Sequence, residues 1–599
     1  MAKRRNRWAI ADKMYLAAFI TGVFIEFATV GATFIDGLVV SRILGADAMA
    51  AVGLSRPLFS IIGIVSGMLA SAARITCSQE IGRGDLARMN RFFSATMYAT
   101  FAACLASAAV FLSFPRQFAV FFGARGNAAH LTDGTADYLT GIAIGIPALI
   151  CVPVLSSVLQ LDTGRRFVSV STVISGTLNV FMDYVAWKLK MGLFGIGLAT
   201  SVANYAALAL LLSFFLKKDR MLRFGKPNIP AREFLKTLSY GTEKVYRRAL
   251  NVFRPIIINR IIIACGGALA MSALSVLNSL SDFLLVFSTG AASALALQVG
   301  LYYGEVNSEG IKEAGVMCHR VSLISALALL AAVLIFTTPL ANIYTAGNPE
   351  LNRYVMFAFR MFALQIPLDA MKRSRVSYLE SVHKNKLMLL LIILSGFVAP
   401  VAMSFVLGKI AGVYGVLAGA TVSDLITLMA VQVFYVVTKK KLRLSVNDYL
   451  MLPDEFNLAP ENVISLDIVD EEDIALASEQ IALFAKGHGF PPKTGYFAAL
   501  AFEELAANTI RYGFPVNRSS DKMIDLRVVF ANGKLVIRLR DNCPHFDPCR
   551  KNIELLNSSD PTASVGIRLA NRLAKDIRYV NTFDTNTIIY QYDLDSADA

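Results

Sequence analysis

Gly192-Leu-Phe-Gly-Ile-Gly-Leu-Ala-Thr200 opens one long apolar stretch, and Gly412-Val-Tyr-Gly-Val-Leu-Ala-Gly-Ala420 opens another with the same Gly-x-x-Gly start. A second pair recurs at nearly the same offset: Gln79-Glu-Ile-Gly-Arg-Gly-Asp85 and Leu301-Tyr-Tyr-Gly-Glu-Val-Asn307 each close an apolar stretch before a short polar connector. The offset is about half of the apolar portion, which is the mark of a duplicated helical bundle with a cleft between its halves.

The chain has 599 residues, of which 55% are hydrophobic and only 17% charged. Its mean hydropathy of +0.53 excludes a single water-soluble globule. A helix needs about 20 apolar residues to cross a hydrocarbon core, and lipid leaves only helices or closed barrels as spanning structures. The apolar runs are continuous rather than alternating, so helices are expected. Candidate spans lie near 15–41, 52–78, 92–114, 135–160, 167–187 and 192–216, then near 242–265, 272–300, 316–338, 354–371, 386–407 and 412–437. The expected organisation is a six-helix lobe over 1–216, a charged linker over 217–234, a second six-helix lobe over 235–438, a basic linker over 439–460 and a soluble domain over 461–599.

The net charge of +14 is distributed topologically. Basic residues gather at alternate connections: Arg83/Arg88/Arg91, Arg165/Arg166, Lys217 to Lys226, Lys372 to Lys386 and the Lys439 triplet. That positive-inside pattern predicts a multi-pass protein of the cytoplasmic (inner) membrane with both termini in the cytoplasm, and argues against nucleic acid as a partner. The opening MAKRRNRW and the apolar run after it are expected to stay as a first span, since the run is long and holds Glu26 and Asp36. Cys543, His545 and Cys549 lie close together, but with no fourth ligand nearby they do not predict a zinc site.

Ionisable groups inside a span are costly and mark functional sites. Asp36 stands within the first span. Asn179 and Asp183 lie four apart in the fifth, on one helix face. Carboxylates beside an amide can hold sodium through oxygen ligands or exchange a proton as burial changes. Glu243, Arg247, Arg254, Arg260, Asp282 and Asp369 fall in or near the second set of spans, either pairing with one another or lining the cleft.

Asp36-Gly-Leu-Val-Val-Ser-Arg-Ile-Leu-Gly-Ala-Asp-Ala-Met-Ala-Ala-Val-Gly-Leu-Ser-Arg-Pro57, Leu159-Gln-Leu-Asp-Thr-Gly164, the Asn179/Asp183 pair and the Gly192 segment together resemble the multidrug and toxic compound extrusion (MATE) family over roughly residues 10–440. The resemblance implies twelve helices in two lobes, alternating access, and export of an organic compound against inward sodium or proton flow. By it, Asp36, Asn179 and Asp183 form the cation site of the first lobe. The seventh span, Glu243-Lys-Val-Tyr-Arg-Arg-Ala-Leu-Asn-Val-Phe-Arg254, carries more charge than that pattern expects and points to an anionic or specialised substrate.

After Glu461 the periodicity changes to that of a soluble α/β sandwich with a mostly antiparallel sheet. Strands are expected over 463–469, 523–530, 534–541, 577–582 and 587–593, and helices over 474–486, 495–512 and 565–575. Glu504 and Asn508 share a helix face, one offering a general base and the other an oxygen for Mg²⁺. Asp541 ends a strand, where it can accept from an adenine amine, and Gly566 lies at a helix start suited to phosphates.

Phe502-Glu-Glu-Leu-Ala-Ala-Asn-Thr-Ile-Arg-Tyr-Gly-Phe514 and Asp541-Asn-Cys-Pro-His-Phe-Asp-Pro548 resemble the ATPase domain of histidine kinases and anti-sigma-factor serine kinases over roughly 465–595. The resemblance implies ATP with Mg²⁺, Glu504 as base, Asn508 on the metal, Asp541 at adenine and a small regulatory protein of the anti-anti-sigma type as partner. Cys543 stands where that pattern has glycine, and Ala563 and Ser564 replace glycines before Gly566. The leading expectation is a cation-coupled exporter of organic compounds with an ATP-binding regulatory domain. The alternatives are a membrane-anchored serine kinase that uses its helices as a sensor, and a flippase for a lipid-linked or anionic metabolite.

Overall fold

A computed structural model describes residues 8–43, 48, 51–52, 54–122, 124, 130–217, 220–345, 348–441, 449–453, 456, 459–517, 522–531, 533–547, 576–582 and 585–594. In the first lobe the principal helices are α1 (Trp8–Ile43), α2 (Arg56–Gly82), α3 (Leu86–Ser113), a bent pair α4 (Thr132–Ile144) and α5 (Ile146–Leu159), α6 (Arg165–Lys188) and α7 (Gly192–Ser213). A short α8 (Ala231–Leu238) leads into the second lobe, built from α9 (Thr242–Leu284), α10 (Val286–Gly304), α11 (Ser308–Thr345), α12 (Pro349–Ser381), α13 (Asn385–Ile393) and α14 (Ala399–Lys439). Helix runs through each of the twelve expected windows. Among the described residues, seven helices are long and apolar enough to cross a membrane, or eight with the bent pair as one span.

Two of the longest helices are each broken by a kink. Gly266 and Gly267 break α9, and Ala411 and Gly412 break α14. Gly412 has φ +57° and Gly192 has φ +60°, so the two glycines that flag the sequence repeat adopt the same left-handed backbone. A side chain at either position would be strained, which fixes where the sixth and twelfth spans begin. Tyr98, Phe101 and Leu105 on α3 and Ile324, Leu327 and Ile335 on α11 are exposed large apolar side chains, as lipid contact requires.

The two lobes meet along α2 and α10. A Cβ on Gly82 would overlap the carbonyl oxygen of Leu301, one on Gly304 that of Gln79, and one on Gly300 the Ser78 hydroxyl. Backbone thus touches backbone at the helix ends on the face that carries the soluble domain. On that same face Gln79 donates through Nε2 to the carbonyl of Ser381 (3.2 Å) and meets His383 Nε2 at 2.8 Å. Tyr240 stacks on the His383 ring with centroids 4.0 Å apart. Burial holds His383 down to about 4, so the seal is made with a neutral imidazole at physiological pH. Deeper in the lobes, Arg74 reaches Glu380 at 3.6 Å.

The soluble domain is a sandwich of α15 (Glu471–Gly487) and α16 (Pro492–Asn508) on a five-stranded antiparallel sheet. Its strands are β1 (Val463–Ile468), β2 (Ile524–Ala531), β3 (Lys534–Asp541), β4 (Asp576–Thr582) and β5 (Thr585–Asp593), in the order β1-β2-β3-β5-β4. Leu526, Val528, Leu535, Ile537, Leu539, Ile588 and Tyr590 point toward the helices and form the core with Ala498, Phe502 and Leu505. The opposite face carries Arg527, Arg538 and Arg540, and it is buried too. The expected helix over 565–575 and the Gly566 region lie outside the described residues.

Candidate functional site

In the first lobe Asn179 and Asp183 project from one face of α6, with 6% and 0% of their surfaces exposed. Asn179 Nδ2 donates to Asp183 Oδ2 at 3.3 Å. Asp36 belongs to α1, which packs along α6, but its side chain is not among those described. An amide and carboxylate buried on one helix supply the hard oxygen ligands and the titratable group that cation coupling uses.

Of the charged residues expected in the second lobe, Asp369 and Arg254 fall in a paired cluster, and the side chains of Glu243 and Asp282 lie outside those described. Asp369 takes Arg373 Nε at 2.5 Å and Lys372 Nζ at 3.1 Å, both from its own helix α12. Asp424 on α14 takes the same Lys372 at 2.6 Å and the Gln365 amide at 3.0 Å. Arg254 of α9 acts electrostatically on both carboxylates. Arg254, Lys372 and Arg373 thus face Asp369 and Asp424, and Glu26 of α1 also acts electrostatically on Arg373.

The residues expected to face a nucleotide lie on α16 and at the end of β3. Glu504 and Asn508 are one turn apart and half-buried. Asn508 Nδ2 donates to the Glu504 carbonyl at 2.7 Å, which uses the donor end of the amide and leaves its oxygen as the end suited to a metal. Asp541, at the end of β3, is 5% exposed. Its Oδ1 accepts from the Cys543 N–H (2.8 Å) and from Asn586 Nδ2 (2.9 Å). Burial pushes the Asp541 carboxyl up from its ordinary value, against the hydrogen bonds from Asn586 and Cys543.

Cys543 occupies the place where glycine is expected, and the structure makes room for it. Among the described residues the non-glycine positions with positive φ do not include Cys543. Its sulfur faces Gly513, where a Cβ would come within 2.9 Å. The glycine has in effect moved across the contact. Burial also raises the Cys543 thiol to about 12, so it is an inert packing group.

Sequence reasoning missed two features. Asn586 donates to Asp541 and to the Cys543 and Pro544 carbonyls (3.1 and 3.2 Å), while its oxygen accepts from Tyr579 Oη (2.6 Å) and Asn581 Nδ2 (2.9 Å). It is the post that fixes the loop after Asp541. The second feature is the dock between sheet and lobes. Glu305, just past the end of α10, receives Arg538 (3.1 Å) and Arg540 in one buried cluster. Arg538 also donates to the Gly82 carbonyl (3.3 Å), and Arg578 to the Gly84 carbonyl (3.1 Å). Cations there suit the partial negative charge at the carboxyl ends of α2 and α10. Burial pushes Glu305 up, but Arg538 and Arg540 outweigh it and hold the carboxyl below its ordinary value. The signal was the run Val536, Arg538, Arg540 on the back of β3, which alternation alone assigns to solvent.

With that geometry in view, the MatE family profile matches residues 23–185 and 245–406, one block in each lobe and together more than half of the chain. The chain belongs to the MATE family. The histidine kinase-like ATPase domain profile matches residues 469–591 of the same MATE protein. It is 24% identical over 185 residues to the multidrug export protein MepA of Staphylococcus aureus, covering 30% of this chain and 40% of that one. It is 24% identical over 233 residues to the probable multidrug resistance protein NorM of Photorhabdus laumondii, covering 37% and 50%. The chain therefore spans half or less of the length of these curated relatives. Among solved structures, MATE in complex with MaL6 superposes with a TM-score of 0.65 at 19% identity, over 70% of this chain and 94% of that one. An outward-facing multidrug resistance MATE transporter gives the same TM-score, identity and coverage. A transporter of the MOP superfamily from Pyrococcus furiosus, described by the reverse polarity of its binding pocket, gives 0.64. These likenesses carry the fold of a multi-pass helical membrane protein.

Proposed function

We propose that this MATE protein is a cation-coupled antiporter that exports organic compounds across the cytoplasmic membrane, with both termini in the cytoplasm. The observation that carries the reading is the buried Asn179/Asp183 pair, an amide and a carboxylate 3.3 Å apart on one face of a helix in the first lobe. Na⁺ bound to the oxygens, or H⁺ on Asp183, would neutralise the buried charge in one lobe orientation and be released in the other. The names of the two multidrug relatives favour a bulky organic substrate. In proteoliposomes, an inward Na⁺ or H⁺ gradient should drive efflux of a lipophilic organic cation, and Asp183→Asn should abolish the gradient dependence. Flux indifferent to both gradients, or untouched by Asp183→Asn, sinks the reading.

The ATPase-type domain is read as a regulator of that cycle. Its sheet binds the ends of α2 and α10, one from each lobe, at the face where the lobes are sealed. Held there, the domain favours the cytoplasm-closed arrangement, and Mg²⁺–ATP on Glu504, Asn508 and Asp541 is the ligand placed to change its hold. ATP added to proteoliposomes should change the efflux rate in the native chain and leave it unchanged in Asn508→Ala.

A membrane-anchored serine kinase is the second reading. Tyr496, Tyr512 and Val516 beside the nucleotide face are 61%, 72% and 62% exposed, open to a small regulatory protein. Phosphate transfer from labelled ATP to a serine of such a partner, lost in Glu504→Gln, is the result that would favour it.

A further inference from the structure

The connector between the lobes is strapped along the first lobe. Over residues 217–236 it carries seven basic side chains and two acidic ones. Hydrogen bonds from two places fix its middle. Asp162, 4% exposed, accepts from the N–H groups of Met221 (2.9 Å) and Leu222 (3.2 Å). Asn90 of α3 donates to the Met221 carbonyl (3.0 Å) and accepts from the Arg223 N–H (2.7 Å), and Ser94 accepts from the Gly225 N–H (2.9 Å). Ser94 lies ~12 Å along α3 from its start at Leu86, by the rise of a helix. Arg88 and Arg91 in the first turns of α3, with Phe92 and Phe93 after them, mark the water–lipid boundary at that level. The stretch from Met221 to Gly225 therefore runs beside a membrane-crossing helix at headgroup depth.

Its side chains suit that depth. Phe224 packs on Phe93 and Phe215, with ring centroids 5.1 and 4.7 Å apart, yet is 53% exposed. Leu216, at the head of the connector, is 83% exposed. Arg223 and Lys226 lie on either side of Phe224 in sequence and are exposed, as are Arg232 and Lys236 on α8. Arg88 holds α8 to the start of α3 through Glu233. The remaining basic groups have other work. Lys217 sits over the rings of Phe167 and Phe214, and Arg220 donates to the Lys217 carbonyl. Lys236 also acts electrostatically on His383, and Lys218 and Asp219 lie outside the described residues.

We propose that this connector binds anionic phospholipid, with Arg223, Lys226, Arg232 and Lys236 on the headgroup phosphates and Phe224 and Leu216 among the upper acyl carbons. A cluster of four to eight Lys or Arg just past a membrane span attracts anionic lipid, and long basic side chains reach from an apolar level to the headgroups. Because its hydrogen bonds run to α3 and Asp162, bound lipid would anchor the first lobe while the second moves against it. The inference takes from the proposed function that this face is cytoplasmic, where anionic lipid is concentrated, and is independent of what is exported.

The test uses the full chain with a fluorophore at the exposed position 228 of the connector. Nanodiscs with the same composition in both leaflets make the result independent of orientation. Phosphatidylglycerol carrying a nitroxide near its headgroup, diluted into phosphatidylcholine, should quench this fluorophore more than phosphatidylcholine carrying the same nitroxide. A fluorophore at the exposed position 476 on α15 should show no such excess. Arg223→Gln and Arg232→Gln should each raise the phosphatidylglycerol fraction needed for half of the excess roughly fivefold, and 1 M salt should remove it. Lys486→Gln with Lys493→Gln, which takes the same charge from exposed positions on the soluble domain, should leave it unchanged. Phe224→Ser should lower quenching by both lipids. Equal quenching by the two labelled lipids in the native chain overturns the proposal and makes the connector a solvated strap. A loss as large in the Lys486/Lys493 control as in the connector variants also overturns it, since net charge alone would then be read. An excess that persists while no ion gradient drives efflux would strike the proposed function and leave this inference standing.

Discussion

Glu305→Gln should release the ATPase-type domain from the membrane lobes. The Glu305 side chain is 2% exposed and is joined directly to both Arg538, whose side chain is 9% exposed, and Arg540 (4%). Glutamine fills the same space but removes the carboxylate that both buried guanidinium groups contact directly. Removing one partner of a buried ion cluster costs about 3–5 kcal/mol. At ~1.4 kcal/mol per tenfold, the docked population falls by about two to four orders of magnitude relative to the undocked one. Fluorophores at the exposed positions 235 on α8 and 476 on α15 report the distance between lobes and sandwich in single molecules. The native chain should give one narrow transfer-efficiency peak, and Glu305→Gln a broad, lower one. Replacing the whole cluster with apolar residues, Glu305→Leu with Arg538→Met and Arg540→Met, should restore the narrow peak, because a well-packed apolar substitute for a buried ion cluster is neutral or stabilising. A narrow native-like peak in Glu305→Gln would refute the electrostatic account of the dock. A triple variant as loose as the single one would refute the claim that uncompensated charge is the cause.

The same fluorophore pair tests the pH dependence. Glu305 is held below its ordinary value of 4.5, so its contribution is fully present above that pH and lost as the pH falls below it. Acid should therefore loosen the dock, and Glu305→Gln should no longer respond over that range. Gly304→Ala places a Cβ on the Gln79 carbonyl and must separate the lobe ends; a cysteine introduced at the seal, inaccessible to a membrane-impermeant thiol reagent in the native protein, should become reactive in that variant. Asn586→Ala removes the donor that fixes Asp541 and the loop after it. Mg²⁺–ATP affinity, measured by calorimetry on the full chain, should fall roughly tenfold or more, the usual cost of losing a hydrogen bond to a charged group.

Much of this protein was legible one residue at a time. Continuous apolar runs dictate helices because lipid cannot satisfy an open backbone. Gly192 and Gly412 mark corresponding span starts because only glycine takes their left-handed backbone without strain. The alternation of Leu535, Ile537 and Leu539 placed β3 on its core, and Glu504 and Asn508 fell on one helix face by spacing alone. These are local consequences of period and conformation, so a linear reading reaches them. What the tertiary structure decided is which charges meet. Asp369 and Asp424, 55 positions apart along the chain, share Lys372, whereas Asn179 and Asp183 meet on a single helix. Glu305 and Arg538, far apart in sequence, close the dock, and Asn586 reaches back to fix Asp541. Cys543, a departure from its pattern in one dimension, becomes a fitted contact once Gly513 faces it. Pairing between buried charges depends on distance in space and on the removal of water, and neither is written in local periodicity.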